Sequence, residues 1–90
     1  MKDIDKAIDA LNSLTDWCMK ELNVTEYDNL YSDIRMELEY VSYHITIDGI
    51  GVKDAIESTE SSIKFCEEDG CTWGVTFYKK ILQVLKFLED

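Results

Sequence analysis

The chain has no proline, and glycine supplies only four of its 90 residues. Helices built from it therefore contain no residue that removes a backbone donor. The scarcity of turn formers also works against an architecture of many short strands and hairpins. Histidine occurs once and cysteine three times, at Cys18, Cys66 and Cys71. An odd thiol count, with a start (Met1-Lys2-Asp3-Ile4-Asp5) that carries charge instead of an apolar leader, argues against a secreted disulfide framework and for a reducing cytoplasm. No apolar run approaches the roughly 18 residues that a membrane-spanning helix requires. Basic residues are the other shortage. Nine Lys and Arg stand against nineteen Asp and Glu, for a net charge of −10. Direct binding to nucleic acid is disfavoured, because affinity for phosphates comes chiefly from Lys and Arg displacing counterions. An anionic membrane surface is disfavoured for the same reason.

What is present is helical periodicity in a chain that is 46% hydrophobic and 31% charged, long enough for one domain. From about Asp3 to Leu22, Ile4, Ala7, Ile8, Leu11, Leu14, Cys18 and Leu22 recur at spacings of three and four, with Asp5, Asp9, Asn12 and Asp16 opposite. Thr25 and Asp28 have the spacing of a capping box. Tyr27, Leu30, Tyr31, Ile34, Leu38, Val41 and Ile45 then follow a second helical stripe. A third helix is predicted from Val52 to Glu68, with Val52, Ala55, Ile56, Thr59, Ile63 and Cys66 inward. It is stopped by Asp69-Gly70, where glycine takes the left-handed cap conformation. The last segment, Thr72 to Leu88, begins with an alternation (Trp73, Val75, Phe77) that fits a strand and continues as a helix with an unusually wide apolar surface. It is either the centre of the fold or a helix that also meets another chain, with Val84 and Phe87 as the candidate oligomer contacts. Residues 44–52 carry β-branched residues around Asp48-Gly49, which suits either a short β-hairpin or a loop between helices. An isolated two-stranded ribbon is marginal, so the loop is preferred. The expected architecture is all-α, a compact antiparallel four-helix bundle forming a single domain.

No catalytic signature accompanies this pattern. G-x-S-x-G, P-loop and G-x-G-x-x-G sequences are absent. A calcium loop centred on Gly49 or Gly70 would begin with His44 or Lys64, neither of which can coordinate calcium there. Three cysteines and His44 match in number a structural zinc set. The Cys66-x4-Cys71 spacing is loose, however, and Cys18 and Cys66 lie on apolar stripes, where thiols behave as small hydrophobes. His44 lacks an obvious thiol or orienting partner and is expected at the surface or at an interface. No cofactor, metal or enzymatic activity is therefore expected.

The acidic positions are the remaining feature. Asp5, Asp9 and Asp16 form one group, Asp33 and Glu37 a second, and Asp54, Glu57, Glu60, Glu67, Glu68 and Asp69 a third. Carboxylates over a helical surface resemble a phosphate backbone and suit the basic groove of a nuclease or nucleic-acid-binding protein. The expected function is a non-enzymatic inhibitor of the phage anti-defence (anti-CRISPR) or toxin-immunity kind. The third acidic group would supply the field, and Tyr40 or Tyr43 the anchor. Two other classes fit less of the sequence. One is a homo-oligomeric scaffold or adaptor held by the last helix. The other is a sponge for an anionic nucleotide, using Lys79, Lys80 and Lys86. Lys20-Glu21-Leu22, Glu26-Tyr27, Asn29-Leu30 and Glu68-Asp69-Gly70-Cys71 resemble segments of the barstar family of acidic ribonuclease inhibitors. That family's terminal strands have no counterpart here, and neither fold nor site residues carry over.

Overall fold

The computed structural model describes residues 2–21 and 29–90, with side chains for 2–20 and 33–90. Its helices are α1 (Ile4–Glu21), α2 (Asn29–Thr46), α3 (Val52–Asp69) and α4 (Thr72–Phe87). The described residues contain no strand, and the fold is an all-α four-helix bundle. The Thr25 and Asp28 cap lies outside the described residues.

Three of the helix ends have a local cause. Asp3 caps α1, accepting the Lys6 backbone N–H on its side-chain oxygen at 3.0 Å. Its own N–H donates to the Phe87 carbonyl at 2.6 Å, tying the start of α1 to the end of α4. Residues 44–52 form no hairpin. The Asp48 N–H reaches the Ile45 carbonyl at 3.1 Å and the Gly49 N–H reaches the His44 carbonyl at 2.8 Å. That pair of bonds is a Schellman motif, with Asp48 in the left-handed region at φ 56. Asp48-Gly49 thus adopts the positive φ values of a hairpin turn, but uses them to end α2. The flanking Tyr43–Thr46 continue the helix instead of turning into a strand. Trp73 to Phe77, whose alternation allowed a strand, are likewise the first turns of α4.

α3 ends in the same way. The Gly70 N–H bonds to the Glu67 carbonyl at 3.3 Å and the Cys71 N–H to the Cys66 carbonyl at 2.9 Å, with Gly70 at φ 74. Two residues later α4 begins, so α3 and α4 fold back on one another. Among the described residues α4 packs most extensively on α3, then on α1, then on α2, while α1 also meets α2.

α4 is accordingly the central helix. Phe77, Ile81, Val84 and Leu85, with Leu88 just beyond, are buried alongside Leu14 of α1 and Val41 of α2. Removing a side chain of this size from water stabilises the fold by about 1.5–3 kcal/mol. The wide apolar surface is needed because three helices surround this one. That corrects the assignment of Val84 to an oligomer contact, since its relative exposure is 0% and it belongs to the core. Phe87 is partly buried against the same core. In α1 the expected stripe is narrower than drawn, because Ile8 lies at its margin and is 40% exposed. No helix among the described residues is long and apolar enough to cross a membrane.

Candidate functional site

α2 buries Ile34 and Val41 and leaves a line of large side chains outside. Met36, Tyr40 and Tyr43 succeed one another at four and three residues, so they stack along one helical line. Their relative exposures are 68%, 50% and 57%, unusual for side chains of this kind in sequence register. Exposed carboxylates flank them, with Asp33 one turn below Met36 and Glu39 on the far side. Glu39 is paired with Arg35 at 3.1 Å, an exposed i,i+4 contact that adds little stability.

Beneath the two tyrosines lies His44, which the sequence suggests for the surface or an interface. It is 5% exposed because Tyr40 and Tyr43 close over it edge-on, with ring centroids 4.8 and 6.0 Å away. Neither of its ring nitrogens has a hydrogen-bond partner among the described residues. The aromatic line therefore rests on a buried polar ring.

A second junction borders this line. Glu37, a helical neighbour of Tyr40, accepts a long hydrogen bond from the Tyr78 hydroxyl of α4 at 3.5 Å. Burial raises the Tyr78 pKa to about 12, with the Glu37 carboxylate, Cys66 and Asp33 adding to the effect. Burial also raises Glu37 and the nearby Asp33 carboxylate pushes the same way, against the hydrogen bond from Tyr78. Two helices, α2 and α3, thus bring titratable groups to Tyr78 of α4. Tyr78 also lines a shallow groove of about 540 Å³ between α3 and α4, together with Ser58, Ser62, Phe65, Cys66 and Trp73. Phe65 is 69% exposed at its rim.

The acids of α3 are all on the surface: Asp54, Glu57, Glu60, Glu67, Glu68 and Asp69. They do not form an unbroken row. Lys53 stands four residues before Glu57, and Lys64 lies four after Glu60 and four before Glu68, so cations interleave the carboxylates on one side. The densest cluster is Glu67-Glu68-Asp69 at the C-terminus of α3, where no basic residue offsets the helix dipole. Among the described residues α2 and α3 share no extensive packing face, and connect through the 47–51 turn and through α4. Tyr40 and Tyr43 are therefore brought together with each other and with Glu37, and not with the α3 acids.

The remaining candidates separate. Lys79 and Lys86 flank a cleft with Leu82, Gln83 and Phe87, whereas Lys80 lies over the Trp17 ring, 5.3 Å from its centroid. The three lysines therefore do not converge on one anion. Cys18 is buried in α1, and burial, partly offset by Lys80, raises its pKa to about 11. Cys66 and Cys71 meet at the α3–α4 corner. No group of three or more His, Cys, Asp or Glu side chains among the described residues is arranged to hold a metal.

Compared with protein-family models, curated proteins and solved structures, the chain matches none. The short segments that resemble barstar do not amount to membership of that family.

Proposed function

We propose that this protein is a non-enzymatic, acidic binding protein that occludes a basic, nucleic-acid-handling partner, in the manner of anti-defence or toxin-immunity proteins. The observation that carries this reading is the exposed Met36–Tyr40–Tyr43 line beside Asp33, Glu37 and Glu39, on a chain of net charge −10. Tyrosines supply contact area at little entropic cost, and their faces attract arginine and lysine. Carboxylates at the edge steer such a partner and fix its orientation. The anchor in this reading is Tyr40 with Tyr43, and Met36 joins them. The α3 acids contribute a longer-range field, which their intervening lysines weaken.

The test is capture on the immobilised protein from cells that carry candidate nucleases or defence complexes, followed by binding measurements with the purified partner. The reading expects a basic, nucleic-acid-binding partner. It also expects affinity to fall as salt is raised, and the partner's own nucleic acid to compete. A partner that is acidic, or that holds its nucleic acid and this protein together, refutes it.

A further inference from the structure

The α3–α4 corner holds a feature that the binding surface does not use. In a Schellman motif the residue at the third position from the helix end meets the residue just beyond the left-handed cap. Here those two residues are Cys66 and Cys71, and the backbone bond between them, at 2.9 Å, fixes their approach. Their sulfurs converge on Gly74. A methyl group built on Gly74 would stand 2.7 Å from Cys66 Sγ, closer than Cβ atoms of folded proteins come, and 3.1 Å from Cys71 Sγ, a tight contact. Gly74 lies in the first turn of α4 and is not among the positive-φ glycines, so no left-handed backbone calls for glycine there. The structural reason for a glycine there is room for two sulfur atoms. Both cysteines are partly accessible and line the groove that also holds Trp73, in contrast to the sealed Cys18.

We propose that Cys66 and Cys71 form a dithiol modification site that closes to an intramolecular disulfide by exchange with a low-molecular-weight disulfide. One cysteine, as its thiolate, attacks a sulfur of the reagent R–S–S–R. A protein–S–S–R bond forms, and the S–S bond of the reagent breaks to expel RS⁻. The second cysteine, again as thiolate, attacks the protein sulfur of that mixed disulfide, forms the Cys66–Cys71 bond and expels the second RS⁻. The two thiol protons end on the two leaving thiolates, so the dithiol loses two electrons and the reagent gains them. The setting also selects the reagent. Glu67, Glu68 and Asp69 immediately precede the Gly70 cap, and Asp69, with Cys71, helps to raise the Cys66 pKa beyond what burial does. A cationic disulfide such as cystamine is attracted to this corner and an anionic one such as oxidised glutathione is repelled.

The experiment exposes the whole reduced chain to cystamine or oxidised glutathione. It then alkylates with iodoacetamide in native and in denaturing buffer, and maps the peptides by mass. The expected product has lost two hydrogens, carries a Cys66–Cys71 bridge, and keeps Cys18 as its one alkylatable thiol, reactive only in denaturant. Far-UV circular dichroism stays unchanged. Cystamine reacts several-fold faster than oxidised glutathione at low salt, and the gap narrows at high salt. Cys66→Ser and Cys71→Ser, both near-isosteric, should stop at a persistent mixed disulfide. If the wild type retains the mixed disulfide as the single variants do, or if the bridge forms to Cys18 or between chains, the dithiol site is refuted.

Discussion

The Tyr78 hydroxyl donates to Glu37 Oε1 at 3.5 Å, a contact across 41 positions of sequence that joins α4 to the helix carrying the exposed tyrosines. It couples two groups whose pKa values are both raised, chiefly by burial. The proposed binding surface therefore rests on an element whose protonation differs between the folded and unfolded chain.

The pH dependence has a definite sign. Tyr78 keeps its proton to about pH 12 in the folded state, whereas an unperturbed tyrosine loses it near 10.0. The folded chain binds the extra proton between those values, so stability is intact below pH 10 and declines as pH rises from 10 towards 12. Tyr78→Phe should flatten that decline in urea midpoints, while at pH 7 it lowers stability by about 0.5 kcal/mol through loss of one long hydrogen bond. Glu37 has a raised pKa too, so its ionisation above the usual carboxylate range detracts from stability. Glu37→Gln, which still accepts from Tyr78, should leave the neutral-pH midpoint equal or higher. A marked drop would mean that the carboxylate charge itself stabilises the junction.

Val84 separates a core role from an oligomer contact. Because it is fully buried under three packed helices, Val84→Ala is expected to lower stability by about 1–3 kcal/mol, from lost transfer energy plus a cavity. The mass measured by light scattering should remain unchanged. An altered assembly state with an unaltered unfolding midpoint would restore Val84 to an interface.

The helices were legible because their signal is local. Apolar spacing located all four, and Gly70 announced the end of α3. Asp48-Gly49 was ambiguous because hairpin turns and helix caps both use positive φ, so the dipeptide alone does not separate them. The breadth of the apolar surface in α4 likewise says that much is covered, not by what, and Val84 was therefore misplaced. The Glu37–Tyr78 contact and the burial of His44 depend on how separate helices meet, which periodicity within either one does not encode. The Cys66–Cys71 approach was readable in principle. A left-handed cap at Gly70 already implies contact between the residues four before it and one after it.

The proposed partner surface can be separated from the fold by substitution. Tyr40 and Tyr43 are 50% and 57% exposed, so Tyr40→Ala or Tyr43→Ala should cost no more than the edge-on contact with His44, about 0.5–1.5 kcal/mol. If either is an anchor, partner affinity should fall by about 2 kcal/mol, roughly 30-fold, mainly through faster dissociation. Charge reversal at Glu57, Glu60 and Glu67 should instead slow association, and that effect should vanish at high salt. Equal losses from both sets on both rates would contradict the division between anchor and field.

His44 offers the most direct test of how the aromatic line is supported. A buried imidazole whose nitrogens find no partner among the described residues is unfavourable by about 1–3 kcal/mol relative to a satisfied one. The edge-on contacts with Tyr40 and Tyr43 return about 0.5–1.5 kcal/mol each at most. His44→Leu removes both terms and keeps the site apolar, so its urea midpoint should correspond to stability unchanged or higher by about 1 kcal/mol. Leucine cannot orient the two rings as the imidazole edge does. The same variant is therefore expected to bind the partner more weakly, although its fold is no less stable. Loss of stability without loss of binding would show that His44 is a satisfied core residue and that the tyrosines hold their places without it.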